Sequence, residues 1–305
     1  MSRPHVVTPA ELSALRDLEL VSRSIVEGLR QGLHRSPFHG YSAEFNQYRH
    51  YRPGDDLKYV DWKAFARSNR LYTRQFRETT NLSCLFVVDI SRSMDYPAAS
   101  HANSARSPSA ILRTKFGLAQ AVSSILGTLV LDQGDAAGVL AVGERVHLTP
   151  PRSGHHHLRV FLSQVATLTP AGSVSVAAAI ERAGVTLKRR GLIVIVSDLY
   201  EEEQSLPAVK RLARMGHDVI VIHTLAREEL TLDVGGAVEL VDLESNRTLV
   251  VQPSQERQGY AAAFAEWADG IERELTREGL QYLRLITGTP LEPALRRFLL
   301  SRRSG

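Results

Sequence analysis

Three oxygen-bearing side chains follow one apolar segment of the chain at alternate positions. Asp89, Ser91 and Ser93 come directly after the run LFVV at residues 85–88. Alternate residues of an extended segment project to the same side, so these three side chains can point at one spot. Carboxylate and hydroxyl oxygens are hard ligands that suit Mg²⁺, Mn²⁺ or Ca²⁺ better than Zn²⁺. The spacing therefore predicts a divalent-cation site.

A second carboxylate, Asp198, also ends an apolar run, LIVIVS at residues 192–197. In an open parallel sheet the carboxyl ends of the strands share one edge, and ligands gather there. Carboxylates from two strands support a cation site more strongly than either would alone. The structural alternative is that Asp89 and Ser91 cap a helix or hold a turn.

Apolar runs alternate with helix-like segments beyond residue 82. The strand-like runs occupy residues 84–90, 136–142, 191–198 and 218–225. Segments with one apolar helical face occupy residues 115–131, 155–167, 175–189 and 204–215. The strand-like runs are almost continuously apolar, as expected when helices cover both faces of a sheet. The alternation predicts an α/β fold with a doubly wound, mostly parallel sheet.

The region before this alternation differs in composition. Residues 9–34 have the leucine spacing of an amphipathic helix. Residues 36–80 hold half of the aromatic residues of the chain among frequent turn residues. We expect residues 1–81 to form an N-terminal helix and a small, aromatic and basic β-rich layer.

Residues 82–305 are expected to form the α/β domain with a C-terminal extension. Its polar stretch at residues 97–109 has the composition of a loop. The extension begins after residue 225. It is predicted to contain a hairpin at 237–251, a helix at 255–277, a strand at 280–286 and a helix at 290–303.

Composition limits the class of protein. An apolar content of 43% and a charged content of 23% are ordinary for a globular chain, and the single cysteine excludes an internal disulfide and a cysteine-based zinc site. No apolar run approaches the ~20 residues that span a bilayer, and the N-terminus lacks a signal-peptide core. We expect a cytoplasmic protein without a membrane span. The net charge of +4 resides in residues 1–80, which suits an acidic protein partner.

Three consecutive histidines, His155, His156 and His157, invite a transition-metal interpretation. They follow Ser153 and Gly154 at a predicted helix start. Adjacent helical residues point about 100° apart, so three in a row cannot share one ion. We expect a solvated helix end.

Three acidic residues of the N-terminal region, Asp55, Asp56 and Asp61, could pair for acid–base catalysis. They lie beside a Pro-Gly turn sequence and among several basic residues, which favours structural ion pairs instead. The aromatic and arginine residues of this region could also stack on bases. No RNA-recognition signature accompanies them, so we expect no nucleic-acid partner.

Two motifs resemble known families. DISRSM, at residues 89–94, resembles the first loop of the metal-ion-dependent adhesion site in von Willebrand factor A domains. Residues 40–76 are similar to the signature of the bacterial family called domain of unknown function 58, or DUF58. The signature comprises an R-x-Y-x-P-G-D-D core, a V-D-W and an A-R, here at residues 49–56, 60–62 and 66–67. The resemblance covers residues 10–225.

The resemblance implies an A-type, Rossmann-like domain with a β-rich insertion packed against it. In the A-domain pattern, Asp89, Ser91 and Ser93 match the first metal loop and Asp198 matches the third. The hard-oxygen ligand set makes Mg²⁺ the expected ion, with Mn²⁺ or Ca²⁺ as alternatives.

The second metal loop departs from the pattern. A threonine in a P-x-G-x-T context is usual there, and this chain has Val174 at that place. Ser173 or Ser175 could supply the oxygen after a small shift, or water could fill the position. Both serines therefore belong to the expected ligand set.

The resemblance further implies a MoxR-type AAA+ ATPase as partner, in the remodelling or assembly of other proteins. The expected function is a metal-dependent protein-interaction module that binds a Glu or Asp of the ATPase or of a client protein, and not an enzyme. The alternative is a divalent-metal-dependent hydrolase acting on phosphoesters. The sequence has no G-x-x-x-x-G-K-[ST], G-x-G-x-x-G or G-x-S-x-G motif and names no general base for such a reaction.

Overall fold

The computed structural model describes most of the chain in segments. These are residues 9–32, 43–53, 55–56, 60–78, 82–97, 108–143, 145–170, 175–231, 238–241, 248–251 and 253–302. In chain order the helices are α1 (Pro9–Gly32), α2 (Trp62–Ser68), α3 (Lys115–Asp132), α4 (His155–Thr167), α5 (Val176–Thr186), α6 (Glu202–Arg214), α7 (Arg227–Thr231), α8 (Pro253–Arg277) and α9 (Leu291–Ser301). The strands are β1 (Ala43–His50), β2 (Tyr72–Glu78), β3 (Ser83–Val88), β4 (Ala136–Val142), β5 (Val146–Arg152), β6 (Leu192–Ser197), β7 (Asp218–Leu225), β8 (Val238–Val241), β9 (Thr248–Val251) and β10 (Gln281–Ile286).

The chain divides into two compact units. One comprises Met1–Pro37 together with Ser83–Gly305, and the other comprises Phe38–Leu82. Helix α1 therefore groups with the α/β unit, whereas the sequence interpretation placed it with the β-rich segment in residues 1–81. The reason is packing: α1 lies against α3, α4 and α9 of the larger unit.

A six-stranded sheet in the order β10-β7-β6-β3-β4-β5 forms the centre of the larger unit. Neighbouring strands from β10 to β4 are parallel, and β5 is antiparallel to β4. The predicted mostly parallel sheet is confirmed, as are its four predicted strands. Strand β5 was not predicted, because Pro150 and Pro151 disguise it. Proline lacks an N–H group and is tolerated at the edge of a sheet.

Helices cover both faces of the sheet. On one face Leu85 and Val87 belong to a buried cluster with residues of α5, α6 and α8. On the other face Phe86 meets Phe161 of α4, with ring centroids 5.4 Å apart. Successive side chains of a strand point to opposite faces, so β3 is buried throughout, and each such side chain stabilises the fold by roughly 1.5–3 kcal/mol.

The N-terminal helix is held through its apolar stripe. Leu18, Val26 and Leu29 of α1 are buried. Arg30 forms an ion pair with Asp132 at the end of α3. The predicted amphipathic helix is therefore present and covers part of the α/β unit.

The C-terminal extension forms the predicted hairpin, strand and two helices. Strand β8 pairs antiparallel with β9, and β10 adds to the sheet in parallel with β7. Of the predicted loop at 97–109, residues 98–107 lie outside the described residues, and Pro108–Arg113 form a 3₁₀ helix. In the part of the chain that the structure describes, no helix is both long and apolar enough to cross a membrane.

The smaller unit is a two-stranded antiparallel sheet with one short helix. Strands β1 and β2 pair with each other. Asp61 caps α2 by accepting a hydrogen bond from the Ala64 N–H at 2.9 Å, and Asn69 ends the helix with φ of 52°. Asparagine tolerates this left-handed conformation, so the short helix has a defined start and end.

Candidate functional site

Asp89 and Asp198 directly follow adjacent parallel strands. Strand β3 has β4 on one side and β6 on the other. The chain passes from β3 to β4 in one direction and from β6 to β7 in the opposite direction. Such a topological switch point opens a crevice at the carboxyl ends of the strands. The Asp89 N–H donates to the Val196 carbonyl at 2.9 Å, which extends the pairing of β3 and β6 up to the two carboxylates. The structure thus brings these predicted residues to one edge.

Asp89 is buried and accepts hydrogen bonds on both oxygens. The Ser91 N–H donates to Oδ1 at 2.8 Å, and the Ser197 hydroxyl donates to Oδ2 at 2.6 Å. Ser197 in turn accepts from the Leu199 N–H at 2.9 Å. A carboxylate oxygen can accept more than one bond, so each retains capacity for a cation. Ser197 was not predicted, although its place as the last residue of an apolar strand was a usable signal.

Ser91 and Ser93 present a pair of hydroxyls. Their Oγ atoms lie 3.0 Å apart, and Ser91 is buried while Ser93 is half-buried. This distance suits a hydrogen bond between them. It also matches the roughly 2.8–3.0 Å between adjacent oxygens of an octahedral Mg²⁺ shell with bonds of 2.0–2.1 Å. The two hydroxyls do lie together as predicted, but Ser93 belongs to a 3₁₀ helix at Arg92–Asp95 and not to the extended segment that was expected.

Asp198 is paired with a lysine that the sequence interpretation missed. The Lys115 Nζ atom lies 2.8 Å from Asp198 Oδ2 and 2.6 Å from Glu229 Oε1. The three side chains are 0%, 3% and 13% exposed. Lys115 is the first residue of α3. In the sequence, the only sign of its burial is that it is a charged residue among apolar ones. Glu229 lies in the short helix α7.

Burial and neighbouring charges shift the pKa values of three groups at this edge of the sheet. Burial, followed by the charge of Asp198, raises the pKa of Asp89 to about 7, although the bonds from Ser197 and Ser91 lower it. Burial also raises the pKa of Glu229 despite its pairing with Lys115. For Lys115, burial lowers the pKa, but the two carboxylates outweigh it and the net shift is upward. The site is therefore rich in acidic charge, with one fixed ammonium.

A buried histidine, His223, forms a hydrogen bond with the backbone carbonyl of Asp198. The His223 Nε2 atom lies 2.9 Å from the Asp198 carbonyl, and Nδ1 lies 2.7 Å from the Tyr282 hydroxyl. A carbonyl only accepts, so Nε2 carries the proton and Nδ1 accepts from Tyr282. Burial lowers the pKa of His223 to about 4. The histidine is neutral at pH 7 and acts as a strut for the loop after β6.

An aromatic row lies beside the charged groups. Tyr200 is 40% exposed and stacks on Trp267, with ring centroids 5.4 Å apart. The Lys115 Nζ atom lies 4.5 Å from the centre of the Tyr200 ring. Trp267 also meets Phe264, and Phe264 meets Tyr260, along α8. The site therefore has an aromatic wall in which Tyr200 is the most exposed ring.

The second metal loop lies largely outside the described residues. Ser173 and Val174 fall there. Ser175 is described and caps α5, accepting from the Ala178 N–H at 3.3 Å. The Ser175 side chain thus has a structural role at a helix start.

The histidine cluster is partly as expected. Helix α4 begins at His155, and His155 and His156 are exposed. His157 corrects the expectation of a solvated end, because it is buried and its Nε2 atom lies 2.8 Å from the Ala137 carbonyl. The side chain turns inward and satisfies a strand carbonyl.

The acidic residues of the smaller unit have structural partners. Asp55 pairs with Arg49 at 2.8 Å and accepts from the Arg52 N–H at 2.9 Å. These bonds lower the pKa of Asp55. Asp61 accepts from the Tyr48 hydroxyl at 2.8 Å as well as capping α2. The expected ion pairing is confirmed for Asp55, and Asp61 is structural through its hydrogen bonds.

The described residues contain no cluster of three or more His, Cys, Asp or Glu side chains arranged to hold a metal ion. The donor set at the sheet edge is instead Asp89, Asp198 and the Ser91–Ser93 hydroxyl pair. It consists of hard oxygens, and the two carboxylates are within electrostatic reach of each other. These donors fit a hard divalent cation that keeps part of its water shell.

Comparison with known proteins places the chain among uncharacterized relatives. The family model described as protein of unknown function DUF58 matches residues 47–269. The chain is 30% identical over 311 residues to the uncharacterized protein Rv1480 of Mycobacterium tuberculosis (strain ATCC 25618 / H37Rv), covering 100% of this chain and 94% of that protein. It is 25% identical over 132 residues to the uncharacterized protein YeaD of Bacillus subtilis (strain 168), covering 43% of this chain and 28% of YeaD.

Solved structures resemble the chain more distantly. The conserved hypothetical protein BatB from Bacteroides thetaiotaomicron aligns with a TM-score of 0.45 and 17% identity, covering 73% of this chain and 100% of that one. The signature at residues 49–67 lies within the matched family region. The full-length match to Rv1480 and the family match over residues 47–269 together show that the chain belongs to the DUF58 family.

Proposed function

We propose that this protein is a cation-dependent protein-docking module whose binding point is the carboxyl edge of β3 and β6. The observation that carries the proposal is the meeting of Asp89, Asp198 and the Ser91–Ser93 hydroxyl pair at the switch point of the sheet. The proposal includes the von Willebrand factor A-like character of the domain and its cytoplasmic location.

The charge balance supports recognition by an acidic partner. Lys115 already neutralises part of the negative charge of Asp198. A divalent ion held by Asp89, Asp198 and two neutral hydroxyls therefore retains attraction for another anion. Mg²⁺ commonly keeps several waters that an incoming oxygen can replace. A Glu or Asp side chain of a partner protein has the charge and the geometry to complete the shell.

The partner in this proposal is a MoxR-type AAA+ ATPase, as the family resemblance implies. The chain would serve such an ATPase in protein remodelling or assembly, either by binding it directly or by presenting a client. A docking role needs no general base beside the ion. Among the described residues near Asp198, His223 has both ring nitrogens engaged and Lys115 is ion-paired, which disfavours a hydrolase.

The test is binding of the purified MoxR-type ATPase from the same organism to this protein, in Mg²⁺ and in EDTA. We expect binding in Mg²⁺ and a loss of at least about tenfold in EDTA or with Asp89→Ala, because a lost charge-assisted contact costs 1.4 kcal/mol or more. Asp95→Ala is the matched control, since Asp95 is an exposed acid at the end of the 3₁₀ helix Arg92–Asp95, which also contains Ser93.

Equal affinity in all four conditions would contradict the docking site. A panel of phosphoesters incubated with the protein and Mg²⁺ addresses the hydrolase alternative. Turnover that disappears with Asp89→Ala would replace the docking proposal with that alternative.

A further inference from the structure

We infer that Lys115 is a built-in counter-cation that sets the divalent-cation affinity of the site and keeps the metal-free protein folded. The inference rests on the proposed cation site at Asp89 and Asp198. It adds that an ammonium of the chain itself shares the acidic charge with the ion. The charged cluster in question comprises Asp89, Asp198, Glu229 and Lys115.

The contacts of Lys115 are those of a fully buried ion pair. Its side chain is 0% exposed, and Nζ lies 2.8 Å from Asp198 Oδ2 and 2.6 Å from Glu229 Oε1. A buried ammonium is tolerated only when it is paired and hydrogen-bonded. Asp198 and Glu229 provide this pairing from two segments that follow different strands. Lys115 therefore links the loop after β6 to α7.

The backbone fixes the lysine at this point. The Thr114 hydroxyl caps α3 by accepting from the Gly117 N–H at 2.9 Å, and the Lys115 N–H donates to the Tyr96 carbonyl at 3.0 Å. Tyr96 follows the loop that carries Ser91 and Ser93. A positive charge at a helix N-terminus is unfavourable because the helix dipole is positive there. The lysine thus occupies its position because of the carboxylates.

The cluster keeps a negative formal charge even with the lysine in place. Three carboxylates and one ammonium leave two negative charges when all are ionised. Removing the ammonium would leave three buried carboxyl groups without their counter-charge. The attraction for Mg²⁺ would rise and the metal-free fold would lose stability, because like charges at close range repel strongly where water is excluded.

Asp198 can serve both cations. Its Oδ2 atom accepts from Lys115, whereas among the residues that the structure describes Oδ1 has only a long contact of 3.5 Å from the Tyr200 N–H. A divalent ion can therefore approach Oδ1 while the lysine holds Oδ2. This arrangement makes Lys115 a positioning residue for Asp198 as well as a competitor for its charge.

The experiment measures Mg²⁺ binding by calorimetric titration and thermal unfolding in Mg²⁺ and in EDTA. We expect Lys115→Met to bind Mg²⁺ about tenfold or more tightly, because a nearby positive charge is removed, and to unfold at a lower temperature in EDTA. Glu229→Gln should bind Mg²⁺ more weakly than the natural protein. The double variant Lys115→Met/Glu229→Gln restores the formal charge and should return affinity and EDTA stability toward natural values.

Lys210→Met is the control, because Lys210 is ion-paired with Glu274 and Glu278 on the surface of the same unit. It should leave Mg²⁺ binding unchanged. If Lys115→Met does not fold, Glu229→Gln and the double variant still give the required comparison.

The outcomes separate the inference from the proposed function. Mg²⁺ binding with equal affinity in all these variants would overturn the inference and leave the cation site intact. Binding by Lys115→Met but not by the natural protein would support the inference and overturn Mg²⁺-dependent docking. Absence of binding in every variant would overturn both.

Discussion

Asp89 and Asp198 occupy the same sheet edge but have different partners. Asp89 accepts from Ser91 and Ser197, which are neutral donors, whereas Asp198 is paired with Lys115. Burial and the charge of Asp198 raise the pKa of Asp89, while Asp198 has a cation beside it. Asp89 is the carboxylate whose charge a divalent ion would stabilise most.

His223 gives the fold a defined sensitivity to acid. Its pKa is lowered by burial to about 4 in the folded chain, against 6.5 for an unperturbed histidine. Between these values the unfolded chain binds a proton that the folded chain does not. The contribution of neutral, buried His223 to the free energy of unfolding is fully present above pH 6.5 and is lost as the pH falls through 4.

We predict that His223→Gln reduces this loss. Glutamine can donate to the Asp198 carbonyl without titrating. Between pH about 7.5 and pH about 5, the natural protein should lose about 2 kcal/mol more of its free energy of unfolding than the variant, because only histidine gains the proton. Urea unfolding of both proteins in EDTA at the two pH values measures this. Equal losses would show that His223 does not control the acid sensitivity.

Helices α3 and α4 approach each other closely at a glycine. A Cβ atom on Gly127 of α3 would lie 2.3 Å from Cε1 of Phe161, whose ring is buried and packed on Phe86. Real contacts are never this short, so the ring or a helix would have to move. Gly127 therefore allows α3 and α4 to pack this closely.

We predict that Gly127→Ala destabilises the protein by about 1–3 kcal/mol, since overpacking outweighs the helix propensity of alanine. Gly259→Ala in α8 is the control, because nothing lies within 4 Å of a Cβ there. The control should gain up to about 1 kcal/mol. Chemical denaturation of the two variants measures both changes. A stabilised Gly127→Ala would mean that the ring moves at no cost.

The whole α/β unit has a core that does not depend on the cation. Strands β3 and β6 are buried on both faces, and the site lies at their carboxyl ends rather than between the layers. Small domains that need a metal to fold place the ion where a core would be. Here the apolar sheet provides the core and Lys115 holds the acidic edge.

We predict that EDTA lowers the unfolding temperature of the protein by a few degrees at most and leaves its far-ultraviolet circular dichroism unchanged. Bound Mg²⁺ stabilises only the folded state, by an amount set by its concentration and affinity. Thermal scans at increasing Mg²⁺ concentration measure this increment. Loss of helical signal on chelation alone would show that the metal is part of the folding core.

The sequence by itself determined the architecture and the meeting of the two aspartates. Nearly continuous apolar runs separated by amphipathic segments dictate a parallel sheet, and parallel strands bring Asp89 and Asp198 to one edge. It also predicted that Ser91 and Ser93 lie together, although a 3₁₀ helix at Arg92–Asp95, and not an extended segment, brings them there. Strand β5 was not predicted from the sequence, because it contains prolines, which a strand tolerates at the edge of a sheet.

Only the tertiary structure decided the electrostatic character of the site. Lys115 lies 83 residues from Asp198 and 114 from Glu229 along the chain, and no local periodicity connects them. The placement of α1 with the larger unit and the inward turn of His157 likewise depend on packing between distant segments. Local patterns fix which face of an element is buried, whereas pairing of charges across elements follows from how the elements pack together.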